Sequence, residues 1–352
     1  MADFPWVACA ATGLGSLPGT DPREAARIVT GELPECPHLP ELPDRGPGAD
    51  PIGRTASLLP LEDFGLETTP TGWRITGGET RIMRRAVSMR NEDADALQEY
   101  TQGYRGPIKA QIVGPWTLAA ALELPGGERM VRDFGACREL ASAMADACTT
   151  YIGDLQRRFS DCVILLQIDE PALPAVLNGT IGTASGLSRY RAVEASVVQA
   201  ALSTVIAAAQ TAEAWTITGC PGAQLPVRLL AAAGTQGLQV DLVSGLVADD
   251  DLGWAWEQGL GLLAGSVPVQ FAQSNGLHLG RRITDTQASA AIRDAAFRLG
   301  LQDQRYMASV VVTPSSGLAT LAPDHVPGVY AACRSARRAL LEERREGGAD
   351  DD

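Results

Sequence analysis

The sequence is short of positive charge, of histidine and of long apolar runs, and each shortage removes a class of function. Its 352 residues carry 42 acidic against 29 basic side chains, a net charge of −13 at neutral pH. That balance excludes a broad basic face for nucleic acid, and an anionic membrane surface would repel the chain; only a local basic pocket stays open. The most apolar stretch, residues 197–209, is alanine-rich and interrupted by Ser203 and Thr204, so no segment reads as a membrane span. The N-terminus has neither the charged start nor the apolar core of a secretory signal. The three histidines, His38, His278 and His325, show no ligand spacing with a cysteine. Seven cysteines (Cys9, Cys36, Cys137, Cys148, Cys162, Cys220 and Cys333) are odd in number, scattered, and never form a C-x-x-C pair. This is the pattern of a reduced, cytoplasmic chain whose thiols mostly fill core space.

What is present is a large apolar fraction, 45% of the residues, ample for one α/β domain of this length. Strand-like runs occur at 6–11, 37–42, 108–113, 163–168, 215–219, 238–243, 260–264 and 308–313, the second weakened by its prolines. Between them lie helical patterns at 128–159, 190–209, 224–233, 249–257, 284–299 and 326–343, with Thr284 and Gln287 spaced as a capping box. Such alternation demands a parallel sheet, and eight runs favour closure into a (β/α)8 barrel over an open sheet. The stretch 34–77 breaks the alternation. It holds a Pro/Gly-rich segment and a hairpin, 64–69 and 72–76 turned at Pro70-Thr71, expected as an insertion over one end of the barrel, in the place of a lid. One domain over residues 1–343 is expected, followed by a disordered acidic tail, 344–352.

Chemistry-capable residues collect at the carboxyl ends of these runs, where a barrel builds its site. The first run leads into Leu14-Gly15-Ser16-Leu17-Pro18-Gly19-Thr20, the third into Gly114-Pro115-Trp116-Thr117 and the fourth into Gln167-Ile168-Asp169-Glu170-Pro171-Ala172-Leu173. Cys220 follows the fifth, Asp241 falls in the sixth, and Ser315-Ser316-Gly317 follows the eighth. Alone, each has a plain structural use as a turn, a cap or a packed thiol. The first loop is not a dinucleotide fingerprint, since Pro18 stands where the third glycine would be.

Together these motifs resemble the catalytic barrel of cobalamin-independent methionine synthase, in its short single-barrel form, within the superfamily shared with uroporphyrinogen decarboxylase. The resemblance runs in order along nearly the whole chain, and includes Pro107-Ile108-Lys109 and Pro314-Ser315-Ser316-Gly317-Leu318. It implies methyl transfer from a methylfolate to the sulfur of a small thiol such as homocysteine. It also implies that Leu14, Gly15, Ser16 and Asp169 hold the amino acid. The physics agrees: Asp169 offers an anion for an ammonium, and the loop offers backbone donors for a carboxylate. Trp116 and Thr117 are expected to give a flat group an apolar platform, and Glu170 to line the same pocket.

The family activates its thiol with zinc held by His, Cys, Glu and a second Cys. Here the positions read Thr218-Gly219-Cys220, Asp241 and Ser316, so zinc would rest on Cys220 and Asp241 alone, short of the usual three or four protein ligands. Cys220 could otherwise serve as a thiolate, its pKa lowered by the N-terminus of the next helix. The family's Asp and His on the seventh strand are missing from residues 261–268. Three readings follow: a diverged thiol methyltransferase acting on small molecules; a non-catalytic barrel that binds an amino acid or folate; and, ranked lower for want of an arginine cluster, a lyase like the decarboxylase, with only Arg23 and Arg27 on the first helix.

Overall fold

The computed structural model describes residues 4–60, 62–183, 186–269, 285–301 and 304–347. Seven parallel strands form one curled sheet: β1 (Ala10–Ala11), β4 (Pro107–Val113), β6 (Val163–Asp169), β7 (Trp215–Gly219), β8 (Gly237–Asp241), β9 (Gly261–Val267) and β10 (Val310–Pro314). Their spatial order is β1-β10-β9-β8-β7-β6-β4, so each strand after β4 lies beside its predecessor in the sheet. Both faces are buried. Outward residues such as Ile108, Ile112, Leu166, Ile168, Leu238 and Val312 join the core beneath the helices. The inward residues Leu165, Ile217, Leu263 and Val311, with Ala10 and Cys36, form a separate apolar cluster. Burial on both sides is why these strands read as nearly continuous apolar runs.

Helices cover the outer face. The principal ones are α1 (Pro22–Glu32), α2 (Pro51–Ala56), α3 (Arg81–Tyr100), α4 (Pro115–Ala121), α5 (Phe134–Arg158), α6 (Leu173–Leu177), α7 (Ala195–Thr211), α8 (Val227–Ala232) and α9 (Asp249–Glu257). They are followed by α10 (Asp285–Arg298), α11 (Gln304–Ala308) and α12 (Val326–Gly347). The 20-residue α3 was not anticipated from the sequence. Its inward stripe, Met83, Ala86, Met89, Ala94 and Leu97, also carries the buried Asp93, which blurs the apolar period. Helix α12 runs to Gly347, past residue 343 and into the stretch expected to be disordered, because Leu, Glu and Arg are good helix formers even where polar. Thr284, the expected cap of α10, lies outside the described residues, as does His278. No described helix is long and apolar enough to cross a membrane.

Two expected strands are corrected. The first shrinks from residues 6–11 to Ala10–Ala11. Cys9 takes a positive φ of 54°, and the N–H of Ala10 turns back to the carbonyl of Val7. Trp6 is thereby carried to the amino-terminal end of the sheet, where it meets Trp215 edge-on at 4.6 Å and stacks on Phe4 at 5.2 Å. The second, 37–42, survives only as single bridges, because its prolines withdraw donors from a ladder. His38 nonetheless pairs parallel with Lys109 and Glu41 with Ser16. Residues 38–41 therefore touch β4 on one side and the loop after β1 on the other. Residues 65–76 form a hairpin: β2 (Gly65–Thr69) pairs antiparallel with β3 (Gly72–Thr76), and β3 pairs parallel with β5 (Leu122–Glu123). The indole N–H of Trp73 donates to Asp50 at 3.2 Å, and Arg74 reaches Glu123 at 3.1 Å, stitching the hairpin to its surroundings.

The ring of Trp215 on β7 reaches Gly237 on β8 and Gly261 on β9, and a Cβ on either would lie 2.6 Å from it. Gly261→Ala is expected to lower stability by about 1–3 kcal/mol, the usual cost of overpacking, measured by urea unfolding. An unchanged midpoint would show that the indole moves freely.

Candidate functional site

The seven strands of the main sheet being parallel, their carboxyl ends share one edge, and the backbone ties the loops there into a continuous rim. The N–H of Gly114 donates to the carbonyl of Asp169 at 2.8 Å, and the N–H of Glu170 to Gly219 at 2.7 Å. The N–H of Leu318 donates to Ser16 at 2.9 Å, and that of Glu41 to Gly15 at 3.0 Å. Ser315 is bound to the end of β9 through its N–H and the carbonyl of Val267, 2.8 Å apart. The residues singled out at six strand ends thus converge on one rim, but they do different things there.

Asp169 is partly exposed, and one of its oxygens accepts from the amide nitrogen of Gln167 at 2.7 Å. Its second oxygen has no protein donor among the described residues. Burial pushes its carboxyl up to about 7, against the pull of Lys109 and the Gln167 bond and with a further push from Glu41. Beneath it, the ammonium of Lys109 donates to the side-chain oxygens of Gln167 at 2.9 Å and Gln111 at 3.1 Å. Gln111 in turn donates to the carbonyl of Leu39 at 2.8 Å. Gly15 rests on Gln111: its φ is +117° and a Cβ there would lie 2.6 Å from the glutamine side chain. Only glycine meets both conditions. Leu14 is buried, Ser16 half-buried, and Ser16 faces Gly317 so closely that a Cβ at 317 would overlap its hydroxyl.

Glu170, Trp116 and Thr117 turn out to form a structural tie. The Glu170 carboxylate is fully buried and accepts from the N–H of Trp116 at 2.9 Å, the N–H of Thr117 at 2.7 Å and the Thr117 hydroxyl at 2.6 Å. It satisfies donors of the first turn of α4, which have no partner inside their own helix. Gly114 must be glycine because Glu170 occupies the space of its Cβ. Trp116 is 1% exposed and its indole N–H donates to Val198 at 3.0 Å. The expected flat platform is therefore part of the core, since the α4 register points the ring between α4 and α7.

Cys220 and Asp241 do line one narrow crevice, with Pro221, Gln239 and Val247 among its walls. Neither is prepared as a ligand. Burial, then the charges of Glu170 and Asp169, push the Cys220 thiol well above its ordinary value. Helix α8 begins only at Val227, so no helix N-terminus follows Cys220 to stabilise a thiolate; that expectation is corrected. Asp241 spends one oxygen on the N–H groups of Val243 at 2.9 Å and Ser244 at 3.1 Å, closing its own loop. His38 is fully buried, bonded to the Tyr330 hydroxyl at 2.8 Å and pushed down to about 3 by burial and by Lys109. Among the described residues no group of three or more His, Cys, Asp or Glu is placed to hold a metal ion. Among the described residues the donor set does not fit zinc.

Several site-building residues were given no site role from the sequence, although Lys109 fell within the Pro107-Ile108-Lys109 match. Lys109 and Gln111 form the floor. Glu41, whose peptide pairs with the Ser16 loop, is held by Arg54 at 3.3 Å; Arg54 also pairs with buried Asp93, which Arg45 reaches at 2.5 Å. The available signal was Lys-Ala-Gln-Ile-Val at 109–113, where polar residues alternate inside a strand buried on both faces. Arg23 and Arg27 do not reach the rim; exposed on α1, they pair with Glu99 and Glu24. A groove of about 420 Å³, flanked by Thr20, Arg45, Arg85 and Glu92, does not include Asp169.

No family model and no curated relative matches the chain. Solved structures do. A B12-independent methionine synthase from Shewanella sp. W3-18-1, in complex with selenomethionine, matches at a TM-score of 0.62 and 14% identity, over 96% of this chain and 99% of that one. Oxaloacetate acetylhydrolase with its product oxalate matches at 0.39 and 11%, over 97% and 83%. The fold of this chain is that of the methionine synthase; the second likeness is too loose to carry an argument.

Two outcomes test this geometry. Glu170→Gln replaces one of the two accepting oxygens by an NH₂ donor that faces an N–H group, and should destabilise the chain by about 1–3 kcal/mol, read as a lower denaturant midpoint. Asp169 holds in the folded chain a proton that the unfolded chain releases near pH 4, so its contribution to stability is greatest at low pH and is lost as pH rises toward 7. Asp169→Asn should therefore gain on wild type as pH is raised from 4 to 8, measured by urea unfolding across that range. A gain in the opposite direction would mean that the Lys109 charge outweighs burial.

Proposed function

We propose that this chain is a (β/α)8 barrel, its eighth strand position filled by residues 38–41, that binds a small thiol amino acid of the homocysteine type. Its reaction in this reading is methyl transfer to the sulfur from a methylfolate-type donor. The observation that carries the reading is Asp169: a carboxylate fixed at one oxygen, open at the other, on the same carboxyl rim as the Gly15–Ser16 loop. An ammonium fits the open oxygen, and the loop supplies polar backbone for the carboxylate of the same amino acid. The fold likeness to a methionine synthase over 96% of the chain supports the reading. Leu14, Gly15, Ser16 and Asp169 are the binding residues in it. Trp116, Thr117 and Glu170 hold that rim in shape from behind.

A second reading, a barrel that binds such an amino acid or a folate without transferring a methyl group, is favoured by one observation. The thiol of a substrate must lose its proton to attack, and a metal with several ligands is one way to make that happen. Cys220 keeps its own proton and Asp241 is occupied, so no step is routed through zinc. The lyase reading has no support from Arg23 and Arg27, which face solvent.

Calorimetry with L-homocysteine and L-methionine, together with a transfer assay from 5-methyltetrahydrofolate, separates these readings. The expected result is binding by wild type, its loss in Asp169→Ala, and methyl transfer by wild type. Binding without transfer selects the second reading, and binding that survives in Asp169→Ala removes Asp169 from the site. Elemental analysis is expected to find zinc well below one per chain; about one zinc per chain, lost in Cys220→Ala, would reverse the assignment of the donor set.

A further inference from the structure

Lys109 is the only lysine in the sequence; the other 28 basic residues are arginines. The arginines that pair at the surface could exchange with lysine at small cost, yet the one lysine lies wholly inside the sheet, with none of its surface exposed. An arginine there would need to place five donors in a rigid plane, whereas an ammonium is compact and turns its three donors freely. Two of those donors meet the oxygens of Gln111 and Gln167.

An ammonium cannot accept a hydrogen bond, so each glutamine must present its oxygen to Lys109 and its NH₂ away from it. For Gln167 that direction is Asp169, which it reaches at 2.7 Å. For Gln111 it is the carbonyl of Leu39, at 2.8 Å, while the body of the side chain supports Gly15. One cation thereby sets two amides, and through them both halves of the amino-acid site. Lys109 is engaged by both amides and sealed from solvent, so it is not presented to a substrate as a nucleophile.

We propose that Lys109 is a positioning residue of the amino-acid site, orienting Gln111 beneath the Gly15–Ser16 loop and Gln167 against Asp169 and favouring the ionised form of Asp169. The role of Asp169 toward a ligand rests on the reading given under Proposed function; the coupling of Lys109 to Asp169 does not. Lys109 is faced by Asp169 from β6 and by Cys36, His38 and Glu41 from the segment before α2. Asp169 is faced by Lys109, by Glu41, by its neighbour Glu170 and by Cys220 after β7. Cys36 and His38 are neutral through burial, and Glu41 is paired with Arg54. Asp169 is then the anion whose removal Lys109 feels most, although it lies two hydrogen bonds away.

A single lysine makes the test direct: protein labelled with carbon-13 at lysine Cε gives one side-chain signal. In wild type it should titrate near 8, below an ordinary lysine, because burial disfavours the ammonium. In Asp169→Asn, a small change at a partly exposed position, it should fall by about one further pH unit or more, as a cation deprived of its facing anion does. An unchanged lysine titration in that variant overturns the proposal. In Lys109→Met, checked for folding by circular dichroism, the acid limb of L-methionine binding should move up by about one pH unit, with affinity largely recovered at high pH. A loss at every pH with the acid limb unmoved would mark a merely structural role and also overturn it. Should Lys109→Met fail to fold, the lysine titration in Asp169→Asn decides alone. Absence of L-methionine binding by wild type would instead sink the amino-acid reading and leave that titration to judge the coupling.

Discussion

A charge enclosed by a curled parallel sheet must be met by acceptors that the sheet itself supplies, and in this chain that requirement organises the site. The ammonium of Lys109 cannot be hydrated where it lies. Leaving such a group without partners costs several kcal/mol, so the neighbouring inward positions on β4 and β6 carry Gln111 and Gln167. Those amides have a second end each, and the second ends reach the rim. The polar upper layer of the interior and the apolar lower layer around Leu165, Ile217, Leu263 and Val311 then have separate tasks. One sets the chemistry of the carboxyl edge, and the other, closed by Trp6 and Trp215, holds the amino edge together.

The rim shows how a conspicuous motif divides its labour. In Asp169-Glu170 two adjacent carboxylates face opposite ways, as successive residues leaving a strand must. Asp169 continues the inward series of Leu165 and Gln167, and Glu170 points outward under α4. Their burial raises both carboxyls to about 7, but for different ends. Glu170 has three donors and no opening, while Asp169 has one donor and an opening. Chemistry of the residue type did not separate them; parity along the strand did.

The likeness in fold to a methionine synthase spans 96% of the chain, whereas among the described residues no group of three or more His, Cys, Asp or Glu is placed to hold a metal ion. A barrel allows this separation. Its sheet and helices are held by the packing of alternate residues, and the loops at the carboxyl edge change without disturbing that packing. Cys220 shows the consequence: it follows the end of β7, where burial pushes its thiol well above the ordinary value.

The sequence by itself determined the parallel α/β architecture, because runs buried on both faces leave an unmistakable apolar record, and it marked the strand ends where polar residues collect. The hairpin was legible from its Pro70-Thr71 turn, and α9 from its own periodicity. The sequence concealed α3, whose inner face includes Asp93, and concealed the shortness of β1, since the turn at Cys9 has no compositional sign. It could not say that Trp116 is core, that Glu170 is a cap, or that Asp241 closes its own loop, because each depends on a partner distant in the chain. Lys109 is the sharpest case. Its identity and its strand are plain in the sequence, but its partners Gln167 and Asp169 lie about 60 residues onward. Only the register of β4 against β6 brings them together, since a hydrogen bond is decided by distance in space.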